Sequence, residues 1–280
     1  MWPKGPTSWL EGRVLNVSIP FTWNLPAVRH MLMCRDLFWD TAIVGGPAVE
    51  LMPDYLTGMD WVTIGHDCPG VLQRINPLAT RTTEGCTRTC GFCGIGSGKI
   101  EKGGFKVLAD WPDLPVLCDN NLLAAPQDHF DKVIDRLILH GWCDFNQGLD
   151  PRLLTDYHAE RIAEIKAPQI RLALDHFSLR HEWEGAYDKL RKAGITKKCM
   201  SSYALIGFSD HPGEAWSRCG WVQGHNINVM PMWYHALDCL EENAVTDKQK
   251  EIGWNDYERR KLMQWFYKRK HAPGWEQYFR

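Results

Sequence analysis

The stretch TTEGCTRTCGFCGIGSGK, residues 82–99, sets Cys86, Cys90 and Cys93 in a C-x3-C-x2-C array and runs on into glycines. The chain around it has ten cysteines, a net charge of -2 and 44% hydrophobic residues. Its first residues carry no apolar run with a cleavage-site pattern, so no signal peptide is expected. A cytoplasmic setting follows, and there thiols stay reduced, which argues against a disulfide framework. Metal chemistry explains such a cluster better. A structural zinc site takes four ligands, and no second C-x-x-C pair is present. Iron–sulfur clusters also take thiolates, four for a complete set. Three thiolates on a four-iron cluster leave one iron open to an exogenous ligand. Cys34, Cys68, Cys118, Cys143, Cys199, Cys219 and Cys239 are scattered singly and read as small buried hydrophobes.

Outward from the array, strand and helix patterns alternate. Upstream, RVLNVSIPF, WDTAIVGG and WVTIG read as strands, LPAVRHMLMCRDL and PAVELMPDYL as helices, and CPGVLQRINPLAT as a linker. The segment ATRTTEGC reads as one strand leading into the cysteines. Downstream the strands are LPVLCDNN, CDFNQGLD, QIRLALDHF, KKCMSSYALIGF and NINVMPMWYHAL, with amphipathic helices between them. Gly141 marks one helix end. Repeated strand–helix units predict an α/β fold with a parallel sheet, curled into a partial (β/α)6 barrel. The expected divisions are a small α/β subdomain over 1–76, the barrel over 77–240 and a helical segment over 241–280. Chemistry gathers at the carboxyl ends of parallel strands. The polar residues there are Asp119, Asn120 and Asn121, then Asn146, Gln147 and Asp150, then Asp175, then Ser209 and Asp210.

CTRTCGFC, with Phe92 before the last cysteine, resembles the signature of the radical S-adenosylmethionine superfamily. The loop that carries it and the strand–helix repeat behind it also resemble that family's partial barrel. The resemblance implies a [4Fe-4S] cluster on Cys86, Cys90 and Cys93, with S-adenosylmethionine chelating the open iron. One-electron reduction would then yield a 5′-deoxyadenosyl radical that abstracts hydrogen from substrate, and an electron donor such as flavodoxin or ferredoxin would be a partner. LCDNNLL resembles the family's binder of the methionine amino group, which implicates Asp119, Asn120 and Asn121, although the usual Gly-Gly-Glu is absent. Gln147, Asp150 and Arg152 would meet carboxylate, ribose or substrate. Ile206 and Gly207 would pack on adenine, and Met230 and Tyr234 would face the cavity, with Tyr234, Gln147 and Arg152 as the catalytic candidates. GIGSGK lacks the full phosphate-loop spacing and reads as flexible packing.

The front 70 residues resemble a trimmed cobalamin-binding domain. The Asp-x-His-x-x-Gly pattern for the lower axial ligand is missing, so no cobalamin is expected. The C-terminal segment interleaves aromatic and basic residues. Arg259, Arg260, Lys268 and Arg269 would neutralise phosphates, while Trp265 and Tyr267 would stack on bases. The bland alternative is an amphipathic helix docked by its aromatics. The chain as a whole is similar to bacteriophage radical S-adenosylmethionine proteins of DNA thymidine hypermodification, which would place it in the host cytoplasm. That similarity implies isomerisation of N-α-glycinyl to C-α-glycinyl thymidine, with DNA or a modified nucleoside as partner. The alternatives are methyl or methylthio transfer or rearrangement on a small molecule, peptide or RNA base, or a non-catalytic metal module that binds nucleic acid. No membrane partner is expected, because the apolar runs are short and broken by charge.

Overall fold

A computed structural model describes residues 5–35, 37–65 and 70–268. The chain divides into two compact units. One is Met1–Ala79 with Arg88–Gly104 and His235–Glu242; the other is Thr80–Thr87, Phe105–Tyr234 and Asn243–Arg280.

The first unit carries a four-stranded sheet of β1 (Thr7–Glu11), β2 (Val14–Ser18), β3 (Thr41–Gly45) and β4 (Val62–Ile64), in that order. β2–β3 and β3–β4 are parallel, and β1 pairs antiparallel with β2. Helix α1 (Leu25–Met33) has Pro26 in its first turn, where a missing N–H costs nothing. It buries Leu25, Val28 and Leu32 at helical spacing against Val17, Ile19, Ala42 and Val44. Helix α2 (Pro47–Leu51) follows β3. The expected strands and helices here are present, and β1 is additional. Its residues are mostly exposed, so it offered no apolar run to find. The expected linker also holds a short helix, α3 (Val71–Ile75).

The second unit is mixed α/β around a six-stranded sheet. Its strands are β5 (Ala79–Thr80), β8 (Val116–Leu117), β9 (Trp142–Phe145), β10 (Ala167–Ala173), β11 (Met200–Ile206) and β12 (Asn228–Trp233). They lie side by side in chain order, with every pair from β8 to β12 parallel. The segment ATRTTEGC is not one strand. After Thr80 the chain leaves the sheet, and β6 (Thr83–Glu84) pairs antiparallel with β7 (Lys106–Val107).

Helices α4 (Gln127–His140), α5 (Asp156–Ala163), α6 (Arg180–Lys192) and α7 (Pro212–Gly224) form the crossovers. In α4, Phe130, Val133, Ile134 and Leu137 make one buried stripe, and the chain turns at Gly141. Thr155 and His158 close a reciprocal cap on α5. Trp183 of α6 is fully buried, worth roughly 1.5–3 kcal/mol of transfer free energy. It donates from Nε1 to Ser202 Oγ at 3.0 Å.

Strand alternation divides the sheet into two unlike faces. Leu117, Phe145, Ile170, Leu172, Met200, Ala204, Ile206, Val229 and Trp233 belong to the core on the helix side. Asp144, Arg171, Tyr203 and Met230 share the opposite face, as their pairing register requires.

After α8 (Asp247–Glu251), α9 (Asp256–Lys268) packs on β12 and α7. It buries Leu262 and Phe266, and Trp216 meets both Trp265 and Phe266. This is the bland docking arrangement. Among the described residues, no helix is long and apolar enough to cross a membrane.

Candidate functional site at the strand ends

Thr80 accepts from Cys118 N–H at 2.8 Å, which aligns the ends of β5 and β8. Just beyond, Asp119 is 4% exposed. Its Oδ1 accepts from the backbone N–H and the hydroxyl of both Thr82 and Thr83, at 2.5–3.0 Å. One carboxylate oxygen therefore splices the exit of β8 onto the segment leading to Cys86. His129, on α4, shares the Thr82 hydroxyl at 3.1 Å. The other oxygen, Asp119 Oδ2, is buried without a hydrogen-bond partner, as is Asn121 Oδ1. Asn121 donates from Nδ2 to Cys86 Sγ at 3.6 Å. Asn120 is half-buried between them.

Burial holds the Asp119 carboxyl above the usual carboxylate range, outweighing its four hydrogen bonds, and lowers His129. A carboxyl whose folded pKa is raised binds its proton more tightly in the folded state. Stability is then highest below the unfolded value of about 3.9, falls as pH rises through the folded value, and stays lower above it. Asp119→Asn removes that loss. Its urea midpoint is expected to change less than the wild-type midpoint between about pH 4 and about pH 7. Parallel midpoints across that range would show that Asp119 stays ionised throughout.

Further along the edge, Asp150 takes Arg152 in a two-pronged pair at 2.7 and 3.0 Å. Gln147 is exposed in the turn after β9. Burial raises the Asp175 carboxyl, with Arg218 and Arg152 pulling it back down. Tyr234 is half-buried, with its ring edge-on to Phe208 at 4.9 Å.

Two residues expected against adenine have other partners. Ile206 is fully buried on the helix side of β11, so the alternation turns its side chain into the core. Gly207 has both backbone groups in use. Its N–H donates to Asp210 Oδ1 at 2.9 Å, and its carbonyl accepts from Gln249 Nε2 at 2.8 Å. With φ of +80°, a Cβ there would stand 2.3 Å from the Trp233 ring. Gly207 is needed for packing. Met230 does lie on the polar face, level with Tyr203.

That face holds residues sequence reading passed over. Arg171 makes a two-pronged ion pair with Asp144. Tyr203 donates its hydroxyl to Asn146 O at 2.9 Å, and burial holds that hydroxyl protonated. The signal was present in QIRLALD, where Arg171 falls between Ile170 and Leu172 and so opposes them across the strand.

Of the expected phosphate contacts on α9, one is otherwise engaged. Arg259 is buried at 8% exposure, bonded to Asp256 and lying over the Trp233 ring. Arg260 is exposed. Trp265 is half-buried, and Tyr267 donates its hydroxyl to Pro231 O at 3.0 Å. Arg269 and the side chain of Lys268 lie outside the described residues.

Cys86, Cys90 and Cys93 are half-buried thiols. Cys86 belongs to the second unit, Cys90 and Cys93 to the first. Among the described residues, no three His, Cys, Asp or Glu side chains gather to hold a metal ion. Locally, Cys93 N–H donates to Cys90 O at 3.1 Å and Ser97 N–H to Cys93 O at 2.9 Å, so CGFCGIGS is a run of hydrogen-bonded turns rather than a loose loop. Gly96 sits inside it; a Cβ there would lie 2.7 Å from Cys90 N and 3.0 Å from Cys90 O. Three half-buried thiols, with an amide donor on the Cys86 sulfur, are a donor set whose chemistry fits an iron–sulfur cluster.

The other cysteines separate by burial. Cys118, Cys143 and Cys219 are buried, and burial pushes each thiol up to about 12. Cys34 is exposed and Cys199 and Cys239 half-buried, so these three are not the buried hydrophobes expected; Cys68 lies outside the described residues. The chain matches no protein-family model and no curated protein.

Proposed function

We propose that this protein is a radical S-adenosylmethionine enzyme with a [4Fe-4S] cluster on Cys86, Cys90 and Cys93. The observation that carries the reading is the pair of buried acceptors without partners, Asp119 Oδ2 and Asn121 Oδ1, on the residues that close β8 and reach Cys86. An unpaired buried acceptor costs about 1–3 kcal/mol. Such oxygens suit a ligand that brings N–H donors, as the methionine ammonium does. A cation there would also stabilise the ionised form that burial of Asp119 opposes. When bound, the cluster and S-adenosylmethionine would supply one-electron reductive cleavage of the sulfonium C–S bond, the electron coming from a flavodoxin- or ferredoxin-type donor, to give methionine and a 5′-deoxyadenosyl radical that abstracts hydrogen.

The chain's own residues orient and enclose. Chain-order parallel strands with helical crossovers support a sheet curled into a partial barrel. Its polar face, with Asp144, Arg171, Tyr203 and Met230, then lines the interior and receives substrate. Asp150 holds Arg152 at the rim of that interior. The substrate reading is an amino-acid-bearing thymidine of phage DNA, isomerised from N-α-glycinyl to C-α-glycinyl; the motif series EGCTRTCGFC, DFNQGLD, YALIGFSD and MPMWY supports it. A glycine α-carbon is a good abstraction target, because amine and carboxylate flank the radical.

The test is anaerobic reconstitution, EPR with and without S-adenosylmethionine, and chromatography for 5′-deoxyadenosine. Expected are a reduced-cluster signal that changes on adding S-adenosylmethionine and a deoxyadenosine product. A protein that binds iron but produces neither overturns the reading. Mass spectrometry of nucleosides from DNA made with and without the active protein tests the substrate.

Gly96→Ala offers a local check. Its Cβ meets backbone, which cannot swing aside, so Cys90 must shift. Iron retained per chain is expected to fall severalfold. Gly98→Ala, on the same turn run with open space around its Cβ, costs only about 1 kcal/mol of backbone strain and keeps its iron. Equal iron in the two variants would mean that Cys90 is not held by this turn.

A further inference from the structure

Asn121 is 3% exposed and precedes the short turn Leu122–Ala124, whose Leu122 and Leu123 are in the core. An asparagine in that position ordinarily turns its Oδ1 back to cap the following N–H groups. Here it makes no side-chain cap, and its Oδ1 has no partner. Its amide is instead committed to sulfur, with Nδ2 3.6 Å from Cys86 Sγ. The backbone leaves it little choice, because Ala124 N–H holds the Asn121 carbonyl at 3.1 Å and the neighbouring leucines anchor the turn.

We propose that Asn121 sets the reduction potential of the cluster by donating its amide N–H to the Cys86 sulfur, an inference that rests on the cluster reading. Reduction adds one electron to the cluster, and that charge is shared with its thiolates. A hydrogen bond to sulfur stabilises the more negative state and raises the potential. Asn121 is a positioning residue in this role, acting on the cluster through Cys86. Its position allows the same amide to answer both partners, the thiolate through Nδ2 and a bound donor through Oδ1.

The experiment is a redox titration of the reconstituted full-length protein, followed by EPR, without S-adenosylmethionine. Asn121→Leu keeps the shape and removes the N–H. At a fixed potential its ratio of reduced to oxidised cluster is expected to drop about tenfold, which is about 59 mV for one electron. Asn121→Asp puts a negative oxygen against the thiolate and is expected to fall further. If both variants carry wild-type iron and titrate with the wild type, the inference is overturned and the cluster reading stands. If the wild type itself takes up no iron, both fall. Should the variants fail to load, wild-type protein labelled with 15N-asparagine decides. Pulsed EPR of the reduced cluster is expected to show coupling to a side-chain amide nitrogen, and its absence overturns the inference.

Discussion

Cys86→Ala, Cys90→Ala and Cys93→Ala are each expected to yield folded protein that holds no four-iron cluster. With two thiolates left, two irons lack a protein ligand, and the cluster is lost on desalting. Iron and sulfide content should fall to background, with cleavage of S-adenosylmethionine falling alongside. Far-ultraviolet circular dichroism should not change, because none of the three thiols belongs to either hydrophobic core. The controls are Cys143→Ala and Cys219→Ala. Burial pushes both thiols up to about 12, so neither offers a thiolate, and iron content should equal that of the wild type. Any one of the three motif variants that keeps full iron would remove its cysteine from the ligand set.

The second large effect is on stability. Arg218 is 1% exposed and pairs with Asp210 at 2.8 Å. It also donates to Leu205 O. Asp210 in turn accepts from Gly207 N–H, and its carbonyl accepts from Trp254 Nε1 at 2.6 Å. This pair ties the end of β11 to α7 and to the chain before α9. Arg218→Ala leaves a carboxylate buried and uncompensated, at about 3–5 kcal/mol. The loss should appear as a lower urea midpoint with an unchanged slope. Arg218→Met combined with Asp210→Asn removes both charges and keeps an acceptor for Gly207 N–H. That double variant is expected to recover at least half of the loss. If it is no more stable than Arg218→Ala, neither the orphaned charge nor the lost bulk explains the effect, and the missing donor to Leu205 O does.

Much of the α/β pattern was legible because each element carries its own period. Val133, Ile134 and Leu137 recur at helical spacing, and Gly141 stops the helix at the expected place. The strands of QIRLALDHF and KKCMSSYALIGF are apolar on one face and are found where expected. Elements whose signal is not local were missed. β1 forms because β2 offers it an edge, and nothing in TSWLE announces that pairing. ATRTTEGC reads as one strand by composition. Its break at Thr82 and Thr83 comes from a residue 37 and 36 positions away, Asp119, which takes both backbone N–H groups at the point where a sheet would have used them.

The candidate site divides along the same line. Sequence by itself determined the chemistry on offer, because C-x3-C-x2-C is a statement about three neighbouring thiols, and polar strand ends follow from the strand period. It could not say which polar residues are already spent. Asp119 and Asn121 keep one open oxygen each, Gly207 and Arg259 are consumed by packing and pairing, and Ile206 faces the core. Only the tertiary structure decides this. Hydrogen-bond capacity is shared among residues far apart in the chain, and a side chain's face depends on the register of the strand that carries it.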